Sequence, residues 1–170
     1  MPDFELQFPP EQIQALASRF AYDEDAASSA AGAAAAARGH YARDEFLQVC
    51  AWKSARSRPL LQSNDAPAVE AATRAAFATP DEAARMGALT GLRGVGVPVA
   101  SALLHFAFPD RYPILDVRAL ESLGRKGRSV YPLSFWLAYL HSCRQLAAEH
   151  GVSLRTLDKA LWQHSKEHGS

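Results

Sequence analysis

The chain has 170 residues, of which 48% are hydrophobic and 21% are charged, a composition typical of globular domains and unlike that of disordered or fibrous proteins. Its 18 basic and 18 acidic side chains balance, which argues against a strongly basic nucleic-acid binder unless the charge is segregated along the chain. The two cysteines, Cys50 and Cys143, lie far apart in the sequence and therefore indicate neither a disulfide framework nor a zinc or iron–sulfur site.

The beginning of the chain and its apolar runs predict neither secretion nor a membrane role. "MPDFELQFPP" has no basic start and no apolar core of the kind found in signal peptides. The longest apolar run, residues 95–108, is too short to span a bilayer. We therefore expect a cytoplasmic protein without a membrane partner.

Charge is segregated along the chain. Residues 1–37 carry six acidic side chains and one arginine, whereas residues 38–58 and 111–128 each carry five basic and two acidic side chains. A dipolar surface of this kind can steer a polyanion to one face of a neutral protein. The alternative interpretation is that both basic clusters are solvated helix ends.

Helical periodicity begins near the N-terminus. Residues 10–21 place apolar side chains at positions i, i+3, i+4 and i+7, which predicts an amphipathic helix. The alanine-rich residues 26–41 favour a second helix, with Gly32 as a weak point. Residues 43–59 have acids in the first turn and bases in the last, and Pro59 is expected to end this third helix.

Further helices are predicted to the end of the chain, at residues 65–78, 79–92, 131–151 and 153–168. In the second of these, Thr79 is the expected N-cap and Pro80 the first helical residue. Gly151 and Ser153 are expected to end one helix and cap the next. Because no alternating strand pattern occurs, the sequence predicts one compact all-α domain over residues 1–170.

The motif that carries chemistry is "LTGLRGVGVPVASALL", in which Gly94, Val95 and Gly96 separate two apolar periodic segments. Glycines suit a tight turn between helices because they tolerate positive φ and let another backbone come close. Free amides at the start of the second helix, together with its dipole, can bind a phosphate oxygen. The alternative is an ordinary helix–helix turn that uses glycine only for geometry.

This motif resembles the helix-hairpin-helix of the base-excision DNA glycosylases, the superfamily that includes endonuclease III and the adenine glycosylases. "YPILD" is similar to the segment in which that superfamily places its catalytic aspartate, and Asp116 follows Gly94 by 22 positions, as expected in endonuclease III-like enzymes. The resemblance covers residues 83–124. It implies a compact orthogonal helical bundle of the DNA glycosylase type, with the helix-hairpin-helix at about residues 83–107.

The resemblance also implies a function. Gly94, Val95 and Gly96 would bind the phosphate backbone of DNA, and a damaged or mismatched base would be flipped out of the duplex. Asp116 would stabilise the cationic sugar and orient or deprotonate the attacking water. Enzymes of this family that also cut the strand use a lysine where this chain has Pro98, so we expect hydrolysis without a Schiff base.

Three features depart from the family pattern. Val117 follows the aspartate immediately, where the family has two residues before its apolar residue. Fewer residues precede the hairpin than a six-helix glycosylase lobe requires, so the base pocket is expected to be reduced or absent. The residue that would fill the gap left by a flipped base is not identified by sequence.

A second candidate for nucleic-acid contact is "AWKSARSRP". Trp52 lies beside Lys53, Arg56 and Arg58, a combination that suits base stacking and phosphate contact. The alternative places Trp52 in the core at a helix end. Arg118, from the second basic cluster, is expected on the DNA face as well, and both clusters are expected on the same side as the Gly94–Gly96 turn.

No resident metal or organic cofactor is predicted. His164 and His168 are four residues apart, as helical metal ligands can be, but no third ligand accompanies them. The resemblance allows a monovalent cation at the hairpin carbonyls.

Asp116 has two compatible interpretations, since an aspartate before a helix accepts N–H bonds whether or not it is catalytic. The sequence therefore supports a monofunctional DNA glycosylase. The alternatives are a catalytically silent helix-hairpin-helix module that only binds DNA, or a structural or protein-interaction domain on the same fold.

Overall fold

The structure is a computed structural model that describes residues 3–21 and 25–169. Within these ranges the chain is all-helical and contains no strand, which confirms the predicted all-α class. The helices are α1 (Ile13–Arg19), α2 (Asp25–Arg38), α3 (Arg43–Lys53), α4 (Arg58–Gln62), α5 (Ala66–Ala78), α6 (Glu82–Thr90), α7 (Val97–Ala107), α8 (Val117–Ser122), α9 (Leu133–Glu149) and α10 (Leu154–His168). Two short 3-10 turns, Pro10–Gln12 and Ala55–Ser57, precede α1 and α4.

The chain divides into two compact units. One, here called the terminal unit, consists of Met1–Tyr22 and Asp110–Ser170; the other, the central unit, is Asp23–Pro109. The single-domain organisation predicted from the sequence is not tested by this division and stays a prediction.

In the terminal unit, α1 and α8 pack on α10. The largest buried side chains of this unit are aromatic and include Tyr112, Trp136 and Tyr139. Burial of several such rings supplies much of the apolar area that stabilises a small helical unit.

In the central unit, α7 packs on α2, α3 and α6, and α5 packs on α6. Every residue from Val99 to Ala107 on α7 is buried, because neighbouring helices cover the helix on several sides. Tyr41 is also fully buried, and its hydroxyl donates to the Leu103 carbonyl oxygen at 2.5 Å.

The α2–α7 contact explains Gly32. A Cβ atom at this position would overlap the Phe106 carbonyl group and lie 2.7 Å from the Phe106 Cβ. Gly32 thus has a packing role that the sequence, which predicts it only as a weak point in a helix, does not indicate. α2 continues through this residue, and the missing side chain lets two helix backbones approach closely.

The predicted helix over residues 43–59 is two helices. α3 ends at Lys53, and Ser54 leaves the helical conformation with φ −153° and ψ 86°. Pro59 lies in the first turn of α4, where its missing N–H costs nothing. The expectation that Pro59 ends a helix is therefore wrong, because this proline begins one.

The start of α6 also differs from the expectation. Asp81 is the N-cap, and its carboxylate accepts a hydrogen bond from the Ala84 amide at 3.0 Å. The Thr79 hydroxyl instead accepts from the Asp81 amide at 3.2 Å, and Pro80 lies outside the helix. Thr79 and Asp81 are both good caps, and the sequence alone does not rank them.

Two predicted helix boundaries, at Gly151 and Ser153, agree with the structure. The Ser153 hydroxyl accepts from the Thr156 amide at the start of α10, and Gly151, with φ +64°, follows the end of α9. Within the described ranges, no helix combines the length and the hydropathy needed to cross a bilayer.

Candidate nucleic-acid interface

The turn between α6 and α7 depends on glycine at position 94. Gly94 has φ +76°, in the left-handed region that other residues adopt only at a cost. A Cβ atom there would also lie 3.0 Å from the Leu60 Cβ and 3.2 Å from the Leu61 amide nitrogen. Both the conformation and the packing against α4 therefore require glycine.

Gly96 differs from Gly94 in both respects. It is the N-cap of α7, with φ −93° and ψ −175°, an extended conformation that any residue adopts. It is exposed, and an added Cβ would approach nothing closer than the Pro98 Cδ at 3.8 Å. Gly94 therefore supplies the positive φ of the turn, whereas neither the conformation nor the packing of Gly96 requires glycine.

Some hairpin amides are already used inside the protein. The Val95 amide donates to the Leu92 carbonyl oxygen at 3.2 Å, and the Arg93 amide donates to Asn64 Oδ1 at 2.9 Å. The Val95 side chain is buried. Val95 therefore shapes the turn through its packing and its own hydrogen bond.

Other hairpin amides remain open. Among the residues that the structure describes, no protein acceptor is bonded to the amides of Gly94, Gly96 or Val97. The last two lie at the beginning of the 11-residue helix α7, where the helix dipole favours negative charge. The hairpin thus offers N–H donors beside an exposed glycine, a geometry suited to an anion.

Asn64 fixes the hairpin and was missed by the sequence analysis. Its buried amide donates to the carbonyl oxygens of Leu61 and Arg93, both at 2.9 Å, and accepts from the Arg93 amide. Arg43 in turn donates to the Asn64 carbonyl oxygen at 2.8 Å. Asn64 precedes Asp65 in a short polar connection that resembles an ordinary turn. Its role becomes apparent only from its hydrogen bonds to Arg93, which lies 29 positions later in the sequence.

The first basic cluster lies in the same unit as the hairpin. Lys53 is the last residue of α3, Arg56 lies in the 3-10 turn before α4, and Arg58 is the first residue of α4. Because Leu60 and Leu61 of α4 face Gly94, Arg58 lies on the helix that contacts the hairpin. In the described part of the chain, none of the three cations forms an ion pair with a carboxylate.

Trp52 is half-buried in the central unit. Its ring contacts Phe106 edge-on, with 4.8 Å between ring centroids. This contact agrees with the interpretation of Trp52 as a packed helix-end residue, and its proposed stacking on bases stays a prediction.

A surface cavity of about 340 Å³ lies between α3 and α4. It is lined by Asp44, Leu47, Gln48, Ala51, Arg58, Leu61 and Gln62. The lining combines one arginine, one aspartate and an apolar floor, and Asp116 is not part of it.

Asp116 belongs to the terminal unit, where it is half-buried and caps α8. Its Oδ1 accepts a hydrogen bond from the Ala119 amide at 2.7 Å. Burial, and the negative charge of Asp116, raise the pKa of Tyr131, which places this phenol within electrostatic reach of the carboxylate. The cap interpretation is thus confirmed, and the catalytic one stays a prediction.

The segment before Asp116 is held on both sides of Ile114. The Tyr139 hydroxyl donates to the Ile114 carbonyl oxygen at 2.7 Å, and the Ile114 amide donates to Asp158 Oδ2 at 3.0 Å. Tyr139 and Asp158 are both buried, so the backbone two residues before the carboxylate has a fixed path.

Two further predicted residue sets lie in the terminal unit. Arg118 is half-buried, with its guanidinium 5.2 Å from the centroid of the Trp162 ring. The rings of His164 and His168 lie 4.7 Å apart. Over the described residues, no three His, Cys, Asp or Glu side chains form a group that could hold a metal ion.

The expectation that both basic clusters lie on the same side as the hairpin involves both units and stays a prediction.

Comparison with family models, curated proteins and solved structures finds no match to this chain.

Proposed function

We propose that the chain binds DNA through its phosphate backbone at the hairpin and hydrolyses the N-glycosidic bond of a damaged or mismatched base. The observation that carries the proposal is Gly96, an exposed glycine that the fold does not require, beside open amides at the beginning of α7. Beside these donors, the absence of a side chain at Gly96 leaves room for another molecule to approach the backbone closely.

A phosphate is the ligand that best fits these donors. The Gly96 and Val97 amides and the α7 dipole supply positive potential, and Arg58 adds an exposed cation on the helix that contacts Gly94. These groups recognise phosphate oxygens and carry no information about the bases. The binding is therefore expected to be independent of sequence and to weaken steeply with salt.

Asp116 is the proposed catalytic carboxylate. As the N-glycosidic bond breaks, positive charge develops on the sugar, and an ionised carboxylate stabilises that charge and accepts a proton from the attacking water. The cap bond from Ala119 to Oδ1 fixes the orientation of the carboxyl group. Since Pro98 provides no amine, the proposed reaction forms no covalent intermediate with the sugar.

The second candidate function is a DNA-binding module without catalysis. The observation that favours it is the same cap bond, because stabilisation of α8 is a sufficient reason for an aspartate at position 116. Both candidates predict DNA binding at the hairpin, and they differ only in base release.

Binding is tested with Gly96→Val, measured by titration of a labelled duplex at several salt concentrations. The extended backbone at Gly96 accepts a valine, so the fold should persist while the branched side chain obstructs the phosphate. We expect the affinity to fall by about tenfold or more, a loss of about 1.4 kcal/mol. Gly87→Ala on α6, where an added Cβ meets nothing within 4 Å, is the matched control. Unchanged duplex affinity in Gly96→Val would overturn the proposal.

Catalysis is tested by a panel of duplexes that carry single damaged or mismatched bases. The proposal predicts base release from at least one of them, strong loss of that release in Asp116→Asn, and unchanged thermal stability, because asparagine also caps helices well. Borohydride should trap no covalent complex. Duplex binding without release from any lesion supports the silent module, and full release by Asp116→Asn contradicts the assigned role of the carboxylate.

A further inference from the structure

One face of α10 carries a row of cations that the sequence analysis did not identify. Arg155, Lys159, Trp162 and Lys166 are spaced by four, three and four residues. At 3.6 residues per turn, these positions fall within about 60° of arc on one side of the helix. All four side chains are at least partly exposed.

Aromatic rings hold the cations of this face in place. The Arg118 guanidinium and the Lys166 ammonium lie 5.2 and 5.4 Å from the centroid of the Trp162 ring. Arg155 and Lys159 lie 5.4 and 5.6 Å from the centroid of the Phe20 ring. The two rings contact each other edge-on at 5.2 Å. We call Arg118, Arg155, Lys159 and Lys166 the cation row.

Three cations of this row have no carboxylate partner in the described part of the chain. Glu167 pairs with Arg19 at 2.9 Å, and Asp158 is buried and accepts from the Ile114 amide. Among the residues described, Arg118, Lys159 and Lys166 form no ion pair with a carboxylate. The face therefore has a surplus of positive charge.

Arrangement and spacing both favour a phosphate backbone as the partner. From Arg155 to Lys166 the row extends about 16 Å along α10, a length over which one DNA strand carries about five phosphates. The cations lie against the two rings, so the aromatic side chains order the charge of this face before a polyanion binds. Cations held before binding lose less conformational entropy when the polyanion arrives.

We infer that the cation row is a second contact surface for the DNA backbone, in addition to the hairpin. The choice of DNA as the polyanion rests on the proposed function. The surplus of positive charge on this face is observed in the structure and does not depend on that function. The row provides phosphate contacts only, so its contribution is independent of sequence and is removed by salt.

The test measures duplex affinity against salt concentration for the full chain and for Lys159→Gln/Lys166→Gln. Each lost phosphate contact lowers the slope of log affinity against log salt by about 0.9, so the double variant should lose about 2 from the slope. The matched control, Lys159→Arg/Lys166→Arg, keeps both charges and should keep the slope. Arg74→Gln, an exposed cation on α5, controls for net charge. Circular dichroism and melting establish that each variant is folded.

The outcomes separate this inference from the proposed function. A reduced slope in the glutamine variant with a retained slope in the arginine variant supports the row, whatever Gly96→Val does. An unchanged slope in the glutamine variant overturns the row and leaves the hairpin proposal standing if Gly96→Val weakens binding. Failure of the unaltered chain to bind any duplex at low salt overturns both.

Discussion

Gly94 and Gly96 lie two positions apart and have different structural roles. Gly94→Ala should lower the free energy of unfolding by about 1–2 kcal/mol, the cost of a left-handed conformation for a residue with a Cβ atom, and contact with Leu60 adds to it. Gly96→Ala should cost less, at most about 1 kcal/mol: its backbone is extended and its surroundings are open, and only the poorer N-cap preference of alanine acts against it. Urea denaturation followed by circular dichroism measures both values.

Equal stability losses in the two alanine variants would contradict this assignment. The hairpin would then need glycine at position 96 for folding. The open space at Gly96 would then no longer point to the approach of a ligand.

Glu167 provides a prediction about pH. Hydrogen bonds from Arg19 and then from Gln163 lower the pKa of this carboxyl to about 2. A depressed folded-state pKa stabilises the protein above the ordinary pKa of the group, and this contribution is lost as the pH falls from about 4.3 towards 2. Arg19→Gln should therefore raise the pKa of Glu167, though not fully, because Gln163 still donates.

The Glu167 carboxyl pKa is measured by NMR titration in the unaltered chain and in Arg19→Gln. Arg74→Gln removes an exposed arginine from the other unit and should leave this pKa unchanged. A pKa that does not rise in Arg19→Gln would contradict the assigned cause.

At the scale of helices, Gly32 and Gly87 both lie inside a helix but differ in the space available to a side chain. Gly32→Ala places a methyl group on the Phe106 carbonyl, so α2 and α7 must separate, and the free energy of unfolding should fall by about 2 kcal/mol or more. Gly87→Ala meets nothing within 4 Å on α6 and should raise that free energy by up to about 1 kcal/mol through helix propensity. Thermal and urea melts of both variants provide the comparison. A neutral Gly32→Ala would show that the α2–α7 approach is not as close as described.

Local signals predicted most of the helices. Apolar periodicity gave the all-α class, and Asp116 and Ser153 cap the helices that follow them. The break after Lys53 was not predictable in this way, because Ser54 is an ordinary helix-end residue and Pro59 is equally suited to ending one helix or beginning another. Asn64 and Gly32 owe their roles to contacts distant in sequence, which local patterns do not encode.

At the scale of the whole chain, the sequence did not predict the grouping of its two ends. The terminal unit joins residues from both ends of the chain, a long-range pairing that no local periodicity contains. The zero net charge was similarly uninformative. It conceals the basic cluster at Arg56 and Arg58 in the central unit, which the distribution of charge along the sequence does predict. It also conceals the cation row of α8 and α10 in the terminal unit, which becomes visible only when helix faces and ring contacts are known.

The central claim is that open amides at the beginning of α7 bind the DNA backbone, and NMR titration of the labelled protein with a short undamaged duplex tests it most directly. The account predicts that the Gly96 and Val97 amide signals move most within the central unit, that those of Gly39 and Gly87 remain in place, and that added salt reverses the change. Saturable binding of the duplex with unmoved Gly96 and Val97 signals would contradict it.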